Sequence, residues 1–261
     1  MSRPVQVRGR ATMASQERIT PREMDPGPHA RAETGCAGCK VRGVSICAVL
    51  DASELSSLEA IAQDAHYDEK KTILLEGDPA DAVYNITQGT VRLYKLLPDG
   101  RRQIVGFLLP GAFMGLALSD RYPFSADAVE PVAACRFARG AFSSLVDEKP
   151  HLLRRLHEAA THELSLAQDH MLLLGRRTAD EGVAAFLIGL RERWRRLGGS
   201  LVTIPLPMTR HDIADYLGLT LETVSRTISK LACSRMLLVV PDGVRLLDPG
   251  RIETLAALDH A

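Results

Sequence analysis

Cys36, Cys39 and Cys47 form a C-x2-C-x7-C run in ETGCAGCKVRGVSICAVL, residues 33–50. Neighbouring thiolates suit a soft metal centre. Gly35, Gly38 and Gly43 let the backbone fold tightly around one. Three thiolates are one ligand short of a structural zinc site. A thioredoxin-type dithiol needs a βαβ pattern after it, and none follows. Three thiolates with a distant fourth can hold an iron–sulfur cube, which takes four soft ligands. Cys135, in the strand-like PVAACRF, is the natural fourth. Its other reading is a buried core cysteine. Cys233, among Leu231 and Met236, reads as a core residue. The five cysteines are an odd count, which does not read as a disulfide framework.

A second constellation is Glu222, Ser225 and Arg226, spaced i, i+3, i+4 on one helix face. Arg can bond bidentately to guanine, Glu can accept from cytosine N4, and Ser can serve several bases. The elements that must position them lie in PMTRHDIADYLGLTLETVSRTISKLACSR, residues 207–235. Thr209 caps a first helix, with Asp212 three residues on at capping-box spacing. Ile213, Ala214 and Leu217 give it an apolar face. Gly218 breaks it, Leu219 plugs the corner, and Thr220 caps a second helix. Val224, Ile228 and Leu231 form that helix's buried stripe. This is a helix-turn-helix layout, with an ordinary surface helical hairpin as the alternative. Thr209, Arg210, Thr220, Thr223 and Lys230 join the three as DNA-contact candidates. Arg210, Arg226, Lys230 and Arg235 face Asp212, Asp215 and Glu222, an excess of one positive charge. Such a modest footprint calls for a dimer, and binding should weaken with salt.

The rest of the chain divides readily. Residues 1–32 hold Pro4, Pro21, Pro26 and Pro28 without apolar periodicity, a disordered tail. Residues 33–140 combine the cysteine loop, a helix over 53–66 capped by Ser53, and short strands separated by turns. Strands at this spacing predict an antiparallel sandwich or jelly roll. Residues 141–174 read as one long helix. Leu153, Leu156, Ala160, Leu164, Ala167, Met171 and Leu174 follow a nearly heptad rhythm, a dimer seam or a helix packed on its own domain. Residues 175–261 begin with an amphipathic helix over 176–197. It turns Val183, Phe186, Leu187 and Leu190 inward and Arg191, Arg193, Arg195 and Arg196 outward. After the reading helix, MLLVVPDGVRLLD is a hairpin around Asp242 and Gly243, and a short helix closes the chain.

These motifs carry a family resemblance. TRHDIADYLGLTLETVSRTISKL is similar to the helix-turn-helix of the Crp/Fnr family, and E-T-V-S-R resembles its FNR-type reading signature. Cyclic-AMP-type members carry Gly at the position of Ser225. Residues 67–137 resemble the β-roll of the cyclic-nucleotide-binding fold, and PGAFMG its turn before the ligand helix. The resemblance implies an α+β fold. It comprises an N-terminal cyclic-nucleotide-binding-like β-roll, a long dimerisation helix and a C-terminal winged helix-turn-helix. The nucleotide-binding version has a ribose-binding Glu and a phosphate-binding Arg where this chain has Leu116 and Phe124. No cyclic nucleotide is therefore expected, since a buried phosphodiester needs a charge partner.

FNR-type regulators have an N-terminal cysteine cluster and one distant cysteine in the β-roll. The resemblance implies that Cys36, Cys39, Cys47 and Cys135 bind a [4Fe–4S] cluster degraded by oxygen, and the x7 gap matches a subgroup. It implies that Glu222, Ser225 and Arg226 read bases in double-stranded DNA, at a palindromic TTGAT-type site. It also implies a homodimer along the long helix and contact with RNA polymerase through loops such as residues 97–102. Many FNR-type seams carry an acidic residue near the middle; here Leu164 and Ala167 occupy it, with Glu163 beside them. One rival is a cluster-free member responding to haem, nitric oxide or thiol oxidation. Another is a thiol redox enzyme.

Zero net charge at first argues against a nucleic-acid partner, but DNA binding needs a local footprint and not a global one. At 261 residues with zero formal net charge, the chain has room for about two domains. No paired acid/base constellation or phosphate-cradling glycine loop appears, and His157 and His162 are not at i, i+4. No run of 18 apolar residues suggests a membrane span, and the N-terminus lacks a secretory apolar stretch, so a cytoplasmic protein is expected. Calorimetric titration with cyclic AMP should give no binding heat; measurable heat would restore a nucleotide-responsive reading.

Overall fold

The computed structural model describes residues 35–116, 120–176, 178–198 and 202–257. The tail expected over 1–32 lies outside the described residues. Three short 3-10 turns, Gly35–Gly38, Arg42–Val44 and Ile46–Val49, make the cysteine loop. Helix α1 (Ala52–Ile61) follows. Its cap is Asp51, not Ser53, because Asp51 and Glu54 satisfy each other's backbone N–H groups in a capping box. The helix stops at Ile61. Residues expected to continue it form strand β1 (Ala62–Tyr67), drawn out by antiparallel pairing with β8 (Val132–Ala138).

The roll consists of two antiparallel four-stranded sheets. One runs β1-β8-β3-β6, with β3 at Ala82–Gln88 and β6 at Phe113–Met114. The other runs β2-β7-β4-β5, with β2 at Thr72–Leu74, β4 at Val91–Leu96, β5 at Arg102–Leu108 and β7 at Ser125–Ala128. Tyr84, Ile86, Val91, Leu108, Met114 and Ala126 fill the space between them.

The single helix expected over 141–174 is two helices. Helix α2 (Arg139–Glu148) ends at Lys149, and α3 (Pro150–Arg176) begins at a proline. Proline lacks an N–H and suits a first helical position, while the residue before it is pushed out of the helical region. Lys149 has φ −128° and ψ 84°. Leu152 and Leu156 bury in a core with Ile46, Leu58, Phe137 and Phe142. Leu156 thus departs from the expected seam: it packs within its own chain. Leu153, Ala160, Leu164, Ala167, Met171 and Leu174 remain exposed along α3.

Helix α4 (Ala179–Arg196) starts at a Thr178–Glu181 capping box and buries Val183, Phe186, Leu187 and Leu190. Arg193 is a correction to the outward arginine row, since its guanidinium donates to the carbonyl of Phe107. Strand β9 (Thr203–Pro205) leads to α5 (Arg210–Leu217) and α6 (Leu221–Cys233). Strands β10 (Leu237–Val240) and β11 (Gly243–Leu246) then form a wing in the order β10-β11-β9, and α7 (Pro249–Ala256) packs on α4.

The roll and this reading domain belong to one compact unit. Asp212, almost fully buried on α5, joins them. Its Oδ1 accepts from Arg92 Nη1 at 2.9 Å and from Arg102 Nη2 at 2.8 Å. Its Oδ2 accepts from Thr209 N and Oγ1 at 3.0 and 2.7 Å. Arg102 also bonds Asp215 at 2.7 Å, and Gln103 donates to the Asp215 carbonyl. Arg102 is therefore committed to α5, although its loop was a candidate for polymerase contact. Beside this network His170 of α3 stacks on Tyr216 at 3.8 Å between ring centroids, and its Nε2 lies 2.7 Å from the Tyr216 carbonyl oxygen. Phe107 and Phe186 complete the aromatic junction.

Burial opposes the Asp212 charge, but its Thr209 hydrogen bonds and the charges of Arg92 and Arg102 hold the carboxyl below its ordinary 3.8. Its stabilisation is therefore complete above about pH 4 and lost as pH falls through the lower folded value. Asp212→Asn should cost about 3 kcal/mol, because it leaves two buried guanidinium groups short of a partner. That is a fall of roughly 6–12 °C in Tm. The variant should also show a shallower acid limb below pH 4 than the wild type, read by thermal melts from pH 2.5 to 7.

Candidate DNA interface and thiol site

The reading hairpin forms from local signals. Thr209 accepts from Asp212 N–H and Asp212 reciprocates, capping α5. Gly218 ends it at φ 65°, a left-handed conformation that favours glycine. A side chain there would also press on Leu174 of α3. Thr220 caps α6 by accepting from Thr223 N–H at 3.1 Å. Val224, Thr227, Ile228 and Leu231 bury one side of α6.

The opposite side carries Glu222 and Arg226, with 80% and 75% of their side-chain surfaces exposed and 3.7 Å apart across one turn. Ser225 lies half-buried between them. An exposed pair of this kind holds little energy, so both groups can turn to other partners. Arg210 is exposed at the start of α5. Lys230 instead pairs with Asp180 of α4, which also accepts from Thr227 at 3.3 Å. The local charge differs from the sequence count for a second reason. Asp212 and Asp215 face the roll and are matched by Arg92 and Arg102. These partners lie more than a hundred residues away, so no local pattern discloses them.

At the other end, the cysteine loop lies on sheet β1-β8-β3-β6. Ser45 Oγ accepts from Cys47 N–H at 3.2 Å, and Glu59 Oε1 accepts from Cys36 N–H at 3.3 Å. Val44 presses on Gly111, where a Cβ would meet Val44 Cγ2 at 2.8 Å. Ile46 and Cys47 are buried against Phe137 and Phe142, and Cys36 and Cys135 pack against the same cluster. Burial, then the neighbouring Cys36, Cys39 and Cys47, push the Cys135 thiol up to about 12. Burial also raises Cys47. Cys135 thus shares an electrostatic neighbourhood with all three loop thiols. Among the described residues, no three His, Cys, Asp or Glu side chains gather tightly enough for one metal ion. A single ion needs thiolates at about 2.3 Å from one point. An iron–sulfur cube takes one thiolate at each of four separated corners. Cys233 is exposed at the end of α6 rather than in the core.

A cavity of about 660 Å³ opens between the loop, the roll and α3, and Leu116 and Phe124 both line it. The arginines on its wall have partners within the chain. Arg155 bonds Glu158, Arg193 bonds the Phe107 carbonyl, and Arg196 meets His162.

Comparison with known proteins matches a cyclic nucleotide-binding domain to residues 65–149 and a Crp-like helix-turn-helix domain to residues 182–255. The nitrogen fixation regulation protein FixK of Bradyrhizobium diazoefficiens is 53% identical over 85% of this chain and 94% of its own length. The chain belongs to the Crp/Fnr family. Other Crp/Fnr relatives include the transcriptional activatory protein AadR of Rhodopseudomonas palustris, 53% identical over 87% of this chain and 94% of its own length. The transcriptional activator protein FnrL of Cereibacter sphaeroides is 37% identical over 82% and 90%. The solved structure of FixK2 from Bradyrhizobium japonicum covers 76% of this chain and 98% of its own at a TM-score of 0.71 and 38% identity. The chain is thus a helix-turn-helix transcriptional regulator with the Crp-type fold. Among the described residues no helix is long and apolar enough to cross a membrane.

In a Crp/Fnr reader, Arg226→Ala should weaken binding to a cognate duplex by about 1–3 kcal/mol and relax selectivity at one base pair. Fluorescence anisotropy with cognate and singly substituted duplexes measures both effects. A uniform loss across all duplexes would assign Arg226 to phosphate instead.

Proposed function

We propose that this chain is an oxygen-responsive transcriptional activator that binds palindromic TTGAT-type DNA as a homodimer when oxygen is low. In this reading Cys36, Cys39, Cys47 and Cys135 hold a [4Fe–4S] cluster. The observation that carries it is the packing of Cys36, Cys47 and Cys135 into one cluster between the loop and the sheet. When bound, the cluster supplies an oxygen-labile covalent tie between the cysteine loop and the roll. Leu116 and Phe124 support a regulator that does not use a cyclic nucleotide.

The chain's own residues carry the coupling. Ile46 and Cys47 share a core with Leu152 and Leu156 of α3, so order in the loop bears on that helix. The exposed stripe of Leu153, Ala160, Leu164, Ala167, Met171 and Leu174 suits pairing with a second copy. Two copies set two reading helices one DNA turn apart. Glu222, Ser225 and Arg226 then face the bases. Thr209, Arg210, Thr220 and Thr223 flank them, while Lys230 reaches DNA on leaving Asp180. Relatives bearing activator names support activation; contact with RNA polymerase, in the cytoplasm, completes the reading.

Anaerobically purified protein should be coloured, contain iron and sulfide, and bind its palindrome roughly tenfold more tightly than after exposure to air. Cys135→Ser should abolish the colour and the air response together. A colourless wild type whose DNA affinity ignores air would overturn the proposal.

A further inference from the structure

Asn85 lies in the middle of β3, is 1% exposed, and has a buried Oδ1 without a hydrogen-bond partner. Buried amide oxygens are nearly always paired, so an orphan one calls for an explanation. Its position supplies one. Asn85 stands directly opposite Cys135 in the antiparallel β3–β8 ladder. Directly opposed residues project from the same face of a sheet. Val83, two residues earlier, shares that face and packs with Ile46, Cys47 and Phe137 under the cysteine loop. Tyr84 and Ile86 point the other way, into the roll. On the far side of Asn85, Phe113 of β6 offers only a ring. The carboxamide therefore forms part of the floor beneath the four thiols, among neighbours that are otherwise largely apolar.

We propose that Asn85 is a positioning residue of the four-thiolate site, donating an Nδ2–H hydrogen bond to the Cys135 sulfur or an adjacent cluster sulfide. This rests on the [4Fe–4S] reading above. A carboxamide carries a donor and an acceptor on one rotor, so a half-turn about its terminal torsion presents the donor to the sulfur. Hydrogen bonds to cluster sulfurs are among the levers that set reduction potential. A donor stabilises the more negative, reduced state and so resists oxidation. Asn85 thereby sets how readily oxygen attacks.

Asn85→Leu removes the polar atoms while keeping the number and branching of side-chain heavy atoms. Anaerobically, the variant should bind iron and sulfide in wild-type amounts, and in air its cluster absorbance should decay about tenfold faster. A second readout needs no cluster. The metal-free full-length variant should melt at or above the metal-free wild type, because an orphan buried amide has given way to an apolar group of similar shape. Equal decay rates in air, or a lower melting temperature of the metal-free variant, would overturn the role of Asn85 while leaving the cluster reading intact. A wild type without iron or sulfide after anaerobic purification would overturn both.

Discussion

A buried carboxylate holds the two halves of this molecule together. Asp212 completes the cap of α5 with one oxygen and receives two arginines of the roll with the other. An isolated charge this deep would be costly; four donors make it tolerable. The geometry is specific as well as attractive. Arg92 also bonds Asp127, and Arg102 also bonds Asp215, so each guanidinium is fixed by two carboxylates. The reading hairpin consequently has a defined seat on the β4–β5 hairpin. The orientation of α6 inherits that definition.

The thiol site rests on a different kind of force. Its floor is a sheet face whose Val83 and Phe137 bury against Ile46, Phe142 and Leu152. Apolar burial keeps the loop near Cys135 without dictating the chemistry of the sulfurs. The same burial disfavours thiolate charge at Cys135 and Cys47. One core thus serves the cysteine loop and the first turns of α3 together.

Much of the reading hairpin is legible in the sequence because its signals are local. A threonine cap, an aspartate three residues on, a glycine turn and a second threonine cap lie within twelve residues. The roll is legible as a class for the same reason, through its turn residues. What escapes depends on partners far along the chain. AQDAHY lacks an apolar alternation, and only pairing with β8 makes it a strand. Leu156 matches the heptad rhythm of its helix, yet the cysteine loop claims it. Arg193 looks like one of a solvated row until the Phe107 carbonyl is placed beside it. Cys233 has apolar sequence neighbours, but α6 ends there and its side chain is exposed. Asn85 offers no local mark beyond its place in a strand; cross-strand register alone puts it opposite Cys135.

The proline that opens α3 has a mechanical meaning. Because Lys149 and Pro150 interrupt the helical backbone, α2 stays with the roll while α3 acts as a separate rod. Its root is clamped at Leu152 and Leu156, and from Leu156 to its end at Arg176 it reaches about 30 Å. That makes the buried leucines a fulcrum and the exposed stripe the long arm. A tilt of about 4° at the root displaces the far end by roughly 2 Å, on the scale of the contacts that seat His170 on Tyr216. Slight repacking beneath the cysteine loop is therefore magnified, by leverage alone, where the rod meets the reading domain.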